Sequence, residues 1–396
     1  MFVSAKARRM NRIVITFLIT LFCSGSIAGA ADVLLKAAKA ITLDGPPIEP
    51  AAILIQDGKI KQISQTLDVS DDVKVVDLGE AVVVPGFVNA YSQLGITGGS
   101  SELTREITPE FNVQLAIDWE SRGFREALNA GVTTVGISPG TDNVVAGILL
   151  AVKTTGDDLD QRVIKHDIGL VITLASDPRS GNLARSRPDS IYVRQPTNRM
   201  GVVWMLRSAL QGAGRKADSS DLLAEALSGK RRIYCVSRTH FDIETVLRVA
   251  EEFDFSPVIV GGEESYQLAS LLAEKKLPVI LGPLRTTLSS GAEGTEPAWN
   301  RAGVLHQAGV VIAMSGSDLL EQARFAVRFG LPEDAALRAI TIEPAKLLGI
   351  ERRVGSLAVG RDADLVVLDG DPFEFTTNVQ AVIVDGTLID EEDKAE

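Results

Sequence analysis

Short apolar runs separated by turn residues dominate the chain, and their rhythm changes twice. Near the start, Ala52 to Gln56 and Lys59 to Ile63 flank Asp57-Gly58, a pair that supplies the positive φ angles of a tight hairpin turn. Near the end, Ala363 to Leu368 reads as a strand, and Val379 to Val384, Asp385-Gly386 and Thr387 to Ile389 repeat the hairpin pattern. Between these segments short strands alternate with amphipathic helices. Strands are expected at Val82 to Val84 leading into Phe87 to Ala90, then at Thr133 to Ile137, Ile148 to Val152 and Gly169 to Leu174. Four more follow at Arg232 to Val236, Ser256 to Val260, Leu277 to Ile280 and Val310 to Met314. Helices such as Ile243 to Glu252 and Ser265 to Glu274 fit the gaps. This alternation predicts a closed (β/α)8 TIM barrel over residues 85–350, with the terminal β segments, 31–84 and 351–396, pairing beside it. A doubly wound open sheet is the rival; the absence of a Gly-rich phosphate-binding turn after the first strand favours the barrel. Arg179 to Asn198, rich in Arg, Ser, Pro and Asn, reads as a long exposed loop.

The extreme N-terminus follows a different logic. Lys6, Arg8, Arg9 and Arg12 precede the apolar run Ile13 to Cys23, which is followed by Ala28-Gly29-Ala30. That is the layout of a secretory signal peptide over residues 1–30, with cleavage after Ala30. The rival reading is an uncleaved anchor, but the run is shorter than the about 20 residues a spanning helix needs. Phe22 stands where a lipoprotein site on Cys23 needs a small residue. The expected location is therefore secreted or periplasmic, without a stable membrane span after cleavage.

Composition narrows the partners. With 45% hydrophobic and 23% charged residues in 396, the chain can bury a large core. A net charge of −12 argues against a nucleic-acid partner, because neutralising phosphates needs a basic face. Two cysteines, Cys23 and Cys235, make neither a zinc finger nor a disulfide framework.

Specific motifs then carry a resemblance. Val84-Pro-Gly-Phe-Val-Asn-Ala-Tyr-Ser-Gln-Leu-Gly95 is similar to the first-strand signature of the amidohydrolase superfamily, in which Pro-Gly-Leu-Ile-Asp-Ala-His-x-His-Leu supplies two metal-binding histidines. The likeness extends to Ile55-Gln-Asp-Gly-Lys-Ile60 and Ala130-Gly-Val-Thr-Thr-Val135. It continues through Ala336-Leu-Arg-Ala-Ile-Thr341, Pro344-Ala345, Leu348-Gly349, Gly355-Ser-Leu357 and Gly360-Arg-Asp-Ala-Asp-Leu-Val-Val367. The branch it resembles is that of imidazolonepropionase. The resemblance implies a (β/α)8 barrel with a small β-sandwich made from both termini. It also implies one or two divalent metals that lower the pKa of a bound water for attack on an amide or related carbon.

The ligand positions hold other chemistry. Tyr91 and Gln93 stand where the first two histidines belong, and Val171 and Ile172 lie near the fourth-strand lysine. Val236 and Gly261 align with the histidines of strands 5 and 6, and Ser317 with the strand-8 aspartate. Aliphatic Val and Gly offer no donor atom, and the three histidines, His166, His240 and His306, form no His-x-His pair. Two readings follow. In the first, the chain is an exported, degenerate barrel that needs no cofactor and binds a small ligand or a partner, with homo-oligomers allowed by the family. In the second, it hydrolyses C–N bonds at an atypical site, with a single zinc held by Asp318 and His240, or with Asp318 as a metal-free base. Tyr91, Gln93, Lys153 and Ser317 are the candidate ligand-binding residues.

Each candidate has a plainer role. Asp318 is better placed to cap the helix that begins near Leu319 and His240 to lie solvated in a loop, and Lys153 is equally placed to turn its amine outward. Tyr91 and Gln93, alternating with Ser92, would line a pocket or fill the space left by a metal. The turns Ser138-Pro-Gly140 with Asn143, and Gly261-Gly262-Glu263-Glu264, are ambiguous between ligand contact and ordinary loop. His306 falls on the helix before strand 8, and His166 at the edge opposite the strand ends.

Overall fold

The structure is a computed structural model that describes residues 32–156, 159–180, 182, 195–215, 221–284 and 298–389. The signal-peptide reading of residues 1–30, and most of the loop expected between Arg179 and Asn198, lie outside the described residues. No helix among the described residues is long and apolar enough to cross a membrane.

The chain divides into two compact units, one from residues 1–86 and 352–396, the other from residues 87–351. In the first unit the N-terminal segment forms β1 (Val33–Ala37), β2 (Lys39–Ala40), β3 (Ala51–Gln56), β4 (Lys59–Ser64), β5 (Lys74–Asp77) and β6 (Val82–Pro85). The second unit carries β7 (Phe87–Ser92), β8 (Val132–Ile137), β9 (Val145–Lys153), β10 (Val163–Thr173), β11 (Arg232–Ser237), β12 (Pro257–Gly261), β13 (Val279–Leu281) and β14 (Ile312–Met314). The chain then returns to the first unit through β15 (Leu365–Leu368), β16 (Val379–Val384) and β17 (Thr387–Ile389).

The first unit holds two sheets, ordered β4-β3-β1-β5 and β17-β16-β15-β6-β2. Both hairpins expected from Asp-Gly form. Asp57 and Gly58 sit at φ 49° and 72°, Asp385 and Gly386 at 48° and 76°, and a two-residue turn of this hand matches the strand twist. Leu35, Ile53, Ile55, Ile60, Val83, Leu365, Val367 and Ile383 share one buried cluster, which ties strands from both ends of the sequence together. The run expected as one strand from Val82 to Ala90 is split. Val82–Pro85 pairs with β15, Gly86 donates to the Asp364 carbonyl at 2.9 Å, and Phe87 begins the next unit. Proline, with no N–H to give a ladder, marks that break.

In the second unit the eight expected strands all form, in the order β14-β13-β12-β11-β10-β9-β8-β7. They are rich in Val, Ile and Leu and nearly all buried, as strands covered on both faces must be. The unbroken βα alternation fails at one place. β9 is antiparallel to both β8 and β10, while the other pairs are parallel. Only residues 138–144 link β8 to β9, fewer than the dozen or so that a parallel crossover requires. Between β9 and β10 the described chain has one short helix, Leu159–Arg162. The pairing runs in a single file and shows no ladder between β7 and β14 among the described residues, so it does not by itself close a barrel. β7 instead meets the turn that follows β14: the Asn89 amide donates to the Gly316 carbonyl at 3.0 Å and accepts from the Gly316 N–H at 3.3 Å.

Candidate functional site

The polar groups of the second unit collect where β7, β10, β11 and β12 end. At the end of β11, the Arg238 guanidinium donates to both carboxylate oxygens of Asp177, at 2.8 and 2.7 Å. Two parallel bonds of this kind fix direction as well as charge. Burial alone would lower the Arg238 pKa; Asp177, with the charges of Glu263 and Asp242, more than offsets it and holds the guanidinium above its ordinary value.

Helix His240–Phe253 is anchored to the same strand end. Thr239 accepts from the Asp242 N–H, and Asp242 accepts from the Arg238 and Thr239 N–H groups at 3.2 and 3.0 Å, a reciprocal cap. Asp242 is fully buried, and its other oxygen lies 2.7 Å from an Arg199 nitrogen. The loop after β12 is stitched to the loop after β11: Gly262 N–H donates to Ser237 O at 2.8 Å and Glu264 N–H to Arg238 O at 3.0 Å. Gly262 lies at φ 50°, and a Cβ there would come within 2.7 Å of a Val279 methyl, so the turn needs glycine. This turn delivers Glu264, whose Oε2 accepts both the backbone N–H of His240 at 2.9 Å and its ring Nδ1 at 2.7 Å.

Tyr91 faces this group from β7. Its hydroxyl is buried and makes no hydrogen bond among the described residues. Burial pushes the phenol up to about 12, against the opposing influence of the Ser138 hydroxyl and the Arg238 charge. Ser138 directs its own proton to the Pro139 carbonyl at 2.8 Å. Thr173, fully buried at the end of β10 and paired with Val236, has a hydroxyl that is likewise unmatched. Tyr91 is thus a buried neutral phenol near the Ser138 hydroxyl and a paired guanidinium.

The other sequence candidates fall elsewhere. A register shift between Asn89 and Ser92 replaces the plain alternation expected there. Gln93 lies past the strand, exposed, accepting from the Ser100 hydroxyl at 3.2 Å. Lys153 is not near the strand ends, because β9 runs backwards; it is fully buried and pairs with Thr134 at the opposite edge of the sheet. Asp318 occupies the N-cap position of helix Leu319–Arg328 at φ 53°, makes no side-chain cap bond and is exposed. It caps the helix through its backbone, its carbonyl accepting the Gln322 N–H at 3.0 Å, rather than through its side chain. Ser317 is exposed and lends its carbonyl to Gln322 at 2.6 Å. His240 is not solvated in a loop: it begins a helix and is held by Glu264. His166 is an exposed residue of β10 whose Nδ1 lies 2.9 Å from Gln114 Oε1, and His306 is an exposed residue of helix Arg301–Gln307.

Sequence reasoning missed Asp177, Arg238, Asp242 and Glu264 as a group. Thr239-x-x-Asp242 before an apolar run is a legible capping signal, and Glu264 sat in a turn already flagged as ambiguous. The Arg238–Asp177 pair had no local signal.

The donor set does not suit a divalent centre. Among the described residues no group of three or more His, Cys, Asp or Glu could hold a metal ion. The strand ends present a phenol, Tyr91, and the carbon side chain of Val236, while Gly261 offers no side chain. The strand-end carboxylates and imidazole are already committed to Arg238, Arg199 and one another.

A mostly parallel eight-stranded sheet with polar groups gathered at its carboxyl edge presents side chains at the edge where α/β folds commonly carry their sites. Comparison with known proteins narrows the class. A family model for the amidohydrolase family matches residues 206–389. The crystal structure of an amidohydrolase from Thermotoga maritima MSB8 superposes with a TM-score of 0.81 at 29% identity, covering 90% of this chain and 99% of that one. Amidohydrolase tasK of Hapsidospora irregularis is 22% identical over 391 residues, 85% of this chain and 39% of that protein. Imidazolonepropionase of Thermoplasma volcanium is 26% identical over 156 residues, 37% of this chain and 32% of that enzyme. The chain thus spans well under half the length of these two curated relatives. Together these matches show that the chain is similar to proteins of the amidohydrolase superfamily, imidazolonepropionase among them.

Proposed function

We propose that this chain is an exported amidohydrolase-fold protein that binds a small polar ligand at the carboxyl edge of its eight-stranded sheet without the family's divalent centre. One observation carries the reading: the buried Tyr91 hydroxyl, at a position where the family places a metal-binding histidine, completes no hydrogen bond of full geometry among the described residues and lies near Ser138 and the Arg238–Asp177 pair. A buried donor without a partner costs about 1–3 kcal/mol, which a ligand oxygen would recover on binding. Export rests on the basic, apolar and small-residue order of residues 1–30.

The test is a thermal-shift screen of small amides, lactams, ureas and carboxylic acids on chelator-treated protein, repeated on Tyr91→Phe. A ligand that stabilises the treated wild type and binds Tyr91→Phe about 2–12-fold more weakly supports the reading, that range being the loss of one neutral hydrogen bond. Stabilisation seen only with an added divalent metal contradicts it.

A further inference from the structure

We propose that His240 and Glu264 form a proton-transfer pair for hydrolysis of an acyl compound at the ends of β11 and β12, with His240 as the catalytic base and Glu264 as its positioning residue. The inference rests on the reading that this edge binds a small ligand without a divalent metal, and goes beyond it by assigning chemistry.

Three features support the pair. One Glu264 oxygen accepts from both the backbone N–H and the ring Nδ1 of His240, which sets the ring's rotation and places the ring proton on Nδ1. The Glu264 side chain is 7% exposed and the His240 side chain 31%, so the carboxylate is a fixed interior element and the imidazole reaches solvent. Glu264 cannot drift, because its own N–H is tied to the Arg238 carbonyl, at the strand end whose side chain grips Asp177. With Nδ1 protonated, Nε2 carries a lone pair and is the proton acceptor. This is a base oriented by a third group. Capping alone would need the carboxylate to reach only the backbone N–H; the ring contact is additional.

In the step proposed, water bonds through oxygen to the acyl carbon while one of its protons passes to His240 Nε2. The bond from carbon to the leaving nitrogen or oxygen then breaks, and the leaving atom takes the proton from the imidazolium. Acid and amine, or acid and alcohol, are the products, and His240 returns to its starting state.

The full chain is assayed with p-nitrophenyl acetate as the acyl probe, after chelator treatment and with metal content measured on the same sample. His240→Asn should lower kcat by about 100-fold or more, the usual contribution of a positioned base. Glu264→Gln should lower kcat with KM nearly unchanged. In ¹⁵N–¹H spectra the wild-type His240 ring should show a protonated Nδ1 and a bare Nε2, and Glu264→Gln should mix the tautomers. His306→Asn, remote from the site, serves as the control and should match wild type. A rate in His240→Asn within twofold of wild type, no wild-type hydrolysis above the His240→Asn level, or a ring protonated on Nε2 each overturns the pair. Activity lost on chelation and restored by metal instead overturns the metal-free ligand reading on which it rests.

Discussion

Asp242→Ala tests how the candidate site is built. The carboxylate is fully buried and serves three groups: the N–H groups of Arg238 and Thr239, and the Arg199 guanidinium. The two backbone N–H bonds to a charged acceptor, once broken, leave donors at the end of β11 unmet and cost about 2–3 kcal/mol. The Arg199 partner is 37% exposed, so solvent screening reduces its share to about 0.5 kcal/mol. The sum, about 2.5–3.5 kcal/mol, corresponds to a fall in melting temperature of about 5–14 °C for a unit of this size. Asp242→Asn keeps an acceptor of the same shape and should lose less than half as much. The assay is calorimetry of both variants beside wild type. A fall of less than about 2 °C in Asp242→Ala would refute the claim that this carboxylate organises the β11 end.

Three further outcomes follow from burial and backbone geometry. Gly147 sits at φ 130°, where a Cβ would lie 2.3 Å from the Phe111 carbonyl oxygen, so Gly147→Ala should destabilise by about 2–4 kcal/mol in urea unfolding. Burial raises the Tyr91 phenol from 10.0 to about 12. The folded state therefore keeps a proton that the unfolded chain releases, and stability is lost as pH climbs from about 10 through about 12. Tyr91→Phe should make urea midpoints between those pH values fall less steeply, and an unchanged slope would count against the burial of that hydroxyl. Cys235 is buried and its thiol pushed up to about 12, so at pH 8 it should resist thiol reagents in the folded protein and react once unfolded.

Much of the fold was legible because its signals are local. Asp57-Gly58 and Asp385-Gly386 each dictate a turn geometry that few other residue pairs can adopt, and every strand of the eight-stranded sheet announces itself as an apolar run between breakers. Strand direction was not local. The reversal of β9 follows from the shortness of the 138–144 link, a length signal that apolar periodicity does not carry, and it moved Lys153 to the far edge. The site was legible only in part. Tyr91 was found by its place in the first-strand motif, yet the alternation argument that carried Gln93 with it failed at the irregularity between Asn89 and Ser92. Asp177 and Arg238 are 61 positions apart in sequence, and their pairing is a product of β10 lying beside β11. His240 looked like a lone loop histidine because its partner, Glu264, arrives from the next strand.

The most direct test of the central claim is metal content by plasma mass spectrometry on protein purified without a histidine tag or chelator, with ligand binding measured on the same sample. The account predicts less than about a tenth of an equivalent of zinc, iron, manganese or nickel per chain, and ligand binding unchanged by chelator. About one metal per chain, released together with the ligand when Asp318 or His240 is replaced by alanine, would contradict it.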